Sequence, residues 1–183
     1  MNPSFKLRKM ILAAMFFALA YVLPFLTGQI KEIGTMLCPM HIPVLICGFI
    51  CGWSWGLAVG FAAPLFRSLT LGMPLLFPGA VCMAFELAVY GFTAGFLHKI
   101  FPPKKIFIYC SILISMTVGR IVWGLAMLIC MGIRGTKFGF SAFISGSVTG
   151  SIPGIIIQLV IVPIIVMIIE RSKIFKENSN FRK

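Results

Sequence analysis

Acidic residues are nearly absent from this chain. It carries 4 of them, all glutamate, against 16 lysines and arginines, and it has no aspartate. Paired carboxylates for acid–base chemistry are therefore missing. So are HExxH, GxSxG and the nucleotide-cradling P-loop, which leaves no catalytic constellation and no means of consuming ATP within the chain. An enzyme is not expected, nor is a bound cofactor. Histidine is also scarce, with 2 in the chain, and the 6 cysteines form no CxxC pair. Most of those cysteines (Cys38, Cys47, Cys51, Cys82, Cys110 and Cys130) fall in apolar runs, where cysteine acts as a small hydrophobe, so no disulfide framework is expected. Long polar stretches are missing too, and none would fold alone. A cleavable leader ahead of a soluble remainder does not fit this pattern. The apolar runs are continuous rather than alternating, which argues against a β-barrel.

What is present is apolar. Hydrophobic residues make up 60% of the 183 positions, and the mean hydropathy is +1.05. Most of the apolar runs approach the roughly 20 residues that a bilayer-spanning helix needs. The expected fold is an all-α integral membrane protein, a single domain over 1–183 built as a compact bundle of six transmembrane helices. A net charge of +12 raises the question of nucleic acid, but its placement answers it. Lys6, Arg8 and Lys9 precede the first span, Lys99, Lys104 and Lys105 share one loop, and Arg171, Lys173, Lys176, Arg182 and Lys183 lie in the tail. Such clusters flank spans as cytoplasmic anchors do.

The six spans read as about 8–26, 38–53, 55–71, 77–98, 106–132 and 140–170, from hydropathy and breaker residues. Trp53-Ser54-Trp55 marks a tight connection, Gly72-Met73-Pro74 a loop and Pro102-Pro103 a break, while Pro153 and Pro163 interrupt the sixth span. With both termini in the cytoplasm, the outside receives only Lys31, Arg134 and Lys137 from the basic set, as the positive-inside rule prefers. Small residues recur at four-residue spacing: Ala14 and Ala18, Gly91 and Gly95, and Gly146, Gly150 and Gly154. That spacing permits close helix approach, either inside the chain or against another membrane subunit.

Three charges lie inside the apolar runs: Arg67, Glu86 and Arg120. Each costs about 2.5–3.5 kcal/mol at the bilayer centre on the mildest scale, so each is a candidate site residue. In the expected topology Arg67 lies near the outer end of its span, Glu86 about nine residues or roughly 13 Å in from the outer end of the next, and Arg120 mid-span. His41 opens the second span, and Gln158 lies near the middle of the sixth. Trp123 is one helical turn from Arg120 and Met127 another, while Tyr90 is one turn from Glu86. Arg67, Glu86, Arg120, His41, Gln158 and Trp123 are the candidates to line a substrate cavity open to the outside. A purely structural ion pair of Glu86 with one arginine is the competing reading. Two arginines and one glutamate leave a cation over, which points to a ligand with a carboxylate or phosphate. Cys38, Met40 and His41 form a soft trio, but His98 lies at the opposite surface, and no metal site is expected.

The ordered set of motifs resembles a known family. The six spans, the basic start, Ala14-x-x-x-Ala18, the run Pro39-Met40-His41-Ile42-Pro43-Val44-Leu45 with Gly48, Gly52 and Gly60, and Gly72-Met73-Pro74 followed by Phe85-Glu86-Leu87-Ala88-Val89-Tyr90-Gly91 are similar to the vitamin-type S components of energy-coupling factor (ECF) transporters. The resemblance implies a multi-pass protein of a prokaryotic cell membrane. It implies capture of a vitamin or precursor from outside, under a lid formed by the loop after the first helix. It also implies docking through Ala14 and Ala18 on a transmembrane coupling subunit, and toppling driven by two cytoplasmic ATPases. The ligand site carries over by region, to the outer parts of the later helices. Members that bind nickel or cobalt begin with Met-His at a free amino terminus, whereas Met40-His41 is internal here. Pantothenate and the lower-ligand nucleoside of cobalamin are the leading ligands: the spare cation leans to the first, the aromatic content to the second. Two rivals are a solitary ion-coupled permease with Glu86 as proton carrier, and a small intramembrane enzyme, which the lack of paired acids disfavours.

Overall fold

The computed structural model describes residues 3–27, 37–102, 105–135 and 152–171. Within them lie six α-helices. Helix α1 runs Pro3–Val22 and passes into a 3₁₀ turn, Leu23–Thr27. Helices α2 (His41–Cys51) and α3 (Trp53–Leu71) follow. A single π turn, Leu76–Ala80, leads into α4 (Val81–Ile100). Helices α5 (Lys105–Ile133) and α6 (Ile152–Arg171) complete the set. No strand occurs among the described residues.

Four stretches are long and apolar enough to cross a membrane: Lys6–Phe25, Leu76–Ile100, Lys105–Ile133 and Ile152–Ile169. Helix α2 is apolar but has only 11 residues, and every one of them is buried. It sits at the centre, in contact with α1, α3, α4 and α6. A helix lined on all sides by protein need not match the bilayer thickness, which explains how so short an element belongs to this bundle.

The turn between α2 and α3 differs from the sequence expectation. The break falls at Gly52, whose φ of +97° is costly for any residue with a Cβ, and Trp53-Ser54-Trp55 forms the first turn of α3. The expected interruption of the sixth span also differs. Pro153 occupies the first turn of α6, where a missing N–H has no helical partner to lose, and the helix continues through Pro163. The expected start of that span at 140, and Gly146 and Gly150, lie outside the described residues.

Glycines join α2, α3 and α4 backbone to backbone. A Cβ at Gly91 would run into the Gly56 carbonyl, one at Gly48 into the Gly91 carbonyl, and one at Gly60 into the Leu87 carbonyl. A Cβ at Gly95 would lie 2.5 Å from the Trp53 nitrogen. Of the two readings of small-residue spacing, Gly91 and Gly95 therefore take internal packing. Ala14 and Ala18 differ from them. Both are exposed on α1, whose other side buries Ala13, Phe16 and Ala20 in the core.

Candidate functional site

Three helices bring polar groups to one point. The carboxylate of Glu86, on α4, lies 3.3 Å from Nη1 of Arg120 on α5 and 3.6 Å from Nε2 of His41 at the start of α2. Periodicity places these groups: Glu86 and Tyr90 are one turn apart on the buried side of α4, and α4 packs on both α2 and α5. The Tyr90 ring meets the His41 ring edge-on, with centroids 5.1 Å apart. From the other side, Tyr90 fills the notch left by Gly119 on α5, where a Cβ would collide with the phenol ring. Cys38, held at a φ of 45° just before α2, accepts a long hydrogen bond of 3.9 Å from Nη2 of Arg120.

Burial in this cluster is uneven. The side chains of His41 and Glu86 are 2% and 3% exposed, while that of Arg120 is 14% exposed. Hydrogen-bonding capacity is left over. Both ring nitrogens of His41, Oε1 of Glu86 and Nε of Arg120 have no hydrogen-bond partner among the described residues. Close charges thus hold the cluster together, while directed hydrogen bonds do not saturate it. In a low-dielectric interior, unspent donors and acceptors of this kind are costly unless something else uses them.

The remaining sequence candidates have other surroundings. Arg67, on α3, is buried, and its Nη1 donates a 2.7 Å hydrogen bond to the backbone carbonyl of Tyr21 on α1. Its guanidinium lies 5.0 Å from the centre of the Phe25 ring and 5.9 Å from that of Tyr21. The cation that charge counting left over is therefore engaged by a helix end and two aromatic faces. Gln158 is buried on α6, and its Nε2 has no hydrogen-bond partner among the described residues. Trp123 is half-buried on α5, one turn beyond Arg120.

Two members of the cluster were not candidates on sequence grounds. Tyr90 was placed one turn from Glu86 but given no role, and its signal was that spacing. Cys38 reads as a small hydrophobe or as part of a soft trio with Met40 and His41, and nothing in a linear pattern reveals that a residue ahead of α2 meets Arg120 of α5.

The buried triad, the helical membrane-spanning bundle and the exposed alanine face of α1 set the context for comparison with known proteins. A family model described as "ECF transporter, substrate-specific component" matches residues 8–166. The chain belongs to this family. The match runs from the first turns of α1 into the last turns of α6, so it takes in every residue of the triad. Searches of curated proteins and of solved structures each gave no match. As an ECF S component, this multi-pass membrane protein captures a small-molecule substrate for an ECF transporter and works with the coupling subunit and ATPases of that assembly.

Proposed function

We propose that this S component captures a water-soluble vitamin or vitamin precursor from outside a prokaryotic cell, at a site centred on Arg120. The observation that carries the reading is the graded exposure of the triad. Arg120 is its most accessible member, while Glu86 and His41 are sealed. Glu86 holds the guanidinium in place, and Arg120 offers its remaining donors to the ligand. Trp123, one turn away on the same helix, supplies an aromatic surface, and His41 and Gln158 supply neutral hydrogen-bonding groups. The six helices form one bundle in the membrane with both termini in the cytoplasm, and the site opens outward.

Of the two leading ligands, we place the lower-ligand nucleoside of cobalamin first and pantothenate second. Glu86 offsets the charge of Arg120, and Arg67 is occupied by Tyr21 and Phe25. A site balanced in this way favours a polar, uncharged, aromatic ligand over a monoanion. Ala14 and Ala18 form the docking face for the coupling subunit, a role supported by their exposure on α1. The alternative is a solitary ion-coupled permease with Glu86 as proton carrier. A carboxylate that is 3% exposed and already paired with Arg120 is poorly placed to exchange protons with water, as that task requires.

Native mass spectrometry of the purified chain identifies the co-purifying small molecule, and isothermal titration of Arg120→Gln with that molecule tests the site. Loss of a desolvated charged contact costs about 2–5 kcal/mol, or roughly 30-fold to several-thousand-fold in affinity. Unchanged affinity would make Arg120 purely structural.

A further inference from the structure

We infer that Arg67 is a positioning residue that fastens the end of α1 to α3 and so sets Tyr21 at the end of the Ala14–Ala18 docking stripe. The inference rests on the docking reading of those two alanines. It gives Arg67, expected from the sequence to face the ligand, a different task.

Local chemistry explains why α1 needs a fastening there. Tyr21 lies in the last turn of α1, where backbone carbonyls run out of helical partners. The chain then tightens into the 3₁₀ turn Leu23–Thr27, in which the carbonyl of Tyr21 would look three residues ahead for its donor. That residue is Pro24, which has no N–H. Arg67 supplies the missing donor from α3 at 2.7 Å. A buried cation at a helix C-terminus also answers the negative end of the helix dipole. The contact is reinforced around it: the Tyr21 hydroxyl and Thr70 Oγ1 are 3.2 Å apart, and the Phe66 ring lies 5.7 Å from that of Tyr21.

Geometry connects this fastening to docking. Ala14, Ala18 and Tyr21 follow one another at four and three residues, so they lie along one stripe of α1. Helix α1 packs chiefly on α2 and α3. Ala13, Phe16 and Ala20 pack the body of α1 into the core, and its rotation about its own axis, hence the direction in which Ala14 and Ala18 face, depends also on how its last turn is held. Arg67 grips a backbone atom of α1, which fixes that rotation in a way that side-chain packing alone does not. The exposed Phe66 ring, next to Tyr21, then borders the stripe from α3.

The test uses the full chain carrying Arg67→Gln or Arg67→Lys, with two readouts. Hydrogen exchange of the chain alone reads the fastening. In Arg67→Gln, exchange over 21–27 should quicken about tenfold or more, as expected for loss of a buried charged hydrogen bond, with α2 and α4 unchanged. Arg67→Lys, which keeps a cationic donor, should recover most of the protection. Capture of the purified coupling subunit reads the consequence and should weaken in Arg67→Gln. Unchanged exchange over 21–27 overturns the inference, as does quickening spread equally over all helices. Altered exchange with normal capture also overturns it, provided that Ala14→Trp/Ala18→Trp abolishes capture. Should that double variant capture normally, the docking reading has failed, and with it the proposed role of Arg67 in docking.

Discussion

Glu86 carries its charge beside Arg120 of α5 and the imidazole of His41 on α2, and that arrangement decides what its removal does. Arg120→Gln leaves a buried carboxylate with His41 alone, and breaking a buried pair from one side costs about 3–5 kcal/mol. Glu86→Gln strands the arginine in the same way. The double variant Glu86→Gln/Arg120→Gln removes both charges and should recover most of the stability lost by either single change. A thermodynamic cycle of reversible unfolding in detergent micelles measures this, with an expected coupling of at least about 3 kcal/mol, because the double variant should lose less than either single one. Strictly additive losses would mean that the contact is incidental. The three intramembrane charges were legible in the sequence because they break apolar runs. Their partners were not. Whether Arg67 or Arg120 meets Glu86 depends on how α3, α4 and α5 are rotated against one another, and single-helix periodicity leaves that rotation open. The structure gives Glu86 to Arg120 and ties Arg67 to the carbonyl of Tyr21. His41 read as a satisfied interfacial histidine or a ligand group. It is sealed in the core beside Tyr90, since α2 is enclosed on every side.

At the scale of elements, the bundle depends on how closely α2, α3 and α4 approach. Gly91 touches the backbone of Gly56, so a single methyl has nowhere to go. Gly91→Ala should lower stability by about 1–3 kcal/mol, the usual cost of overpacking. Gly132→Ala, near the end of α5, meets nothing within 4 Å and should stay within about 0.5 kcal/mol of the parent. Thermal unfolding of the two variants in one detergent compares them, and equal shifts would show that the close approach is unimportant. Existence and order of the helices were legible, because long apolar runs and breakers announce themselves. Boundaries were less so: Trp53-Ser54-Trp55 looked like a connection because tryptophan and serine favour interfaces, yet the positive φ of Gly52 lets the chain turn one residue earlier. The glycine spacing in α4 was visible, but which surface it served was not, since internal and external packing use the same pattern.

On the scale of the whole molecule, α1 is two-sided, with a buried edge toward α2 and α3 and an exposed edge bearing Ala14 and Ala18. Replacing both alanines with Trp should block assembly with the coupling subunit and leave substrate affinity unchanged, because the change faces away from the triad. Co-purification together with ligand titration checks this, and loss of binding with assembly intact would reassign the face. The alanines were legible as a close-packing motif, whereas their exposure needed the folded chain. Membership of the ECF substrate-specific family makes the chain one part of a larger machine. On this reading the chain binds its substrate alone but moves it uphill only in that assembly. The most direct measurement is uptake of the identified substrate into proteoliposomes containing either the chain alone or the chain with its coupling subunit and ATPases. Accumulation against a gradient is expected only with the partners and ATP, with no uphill uptake by the chain alone under a proton gradient. Proton-driven accumulation by the isolated chain would contradict it.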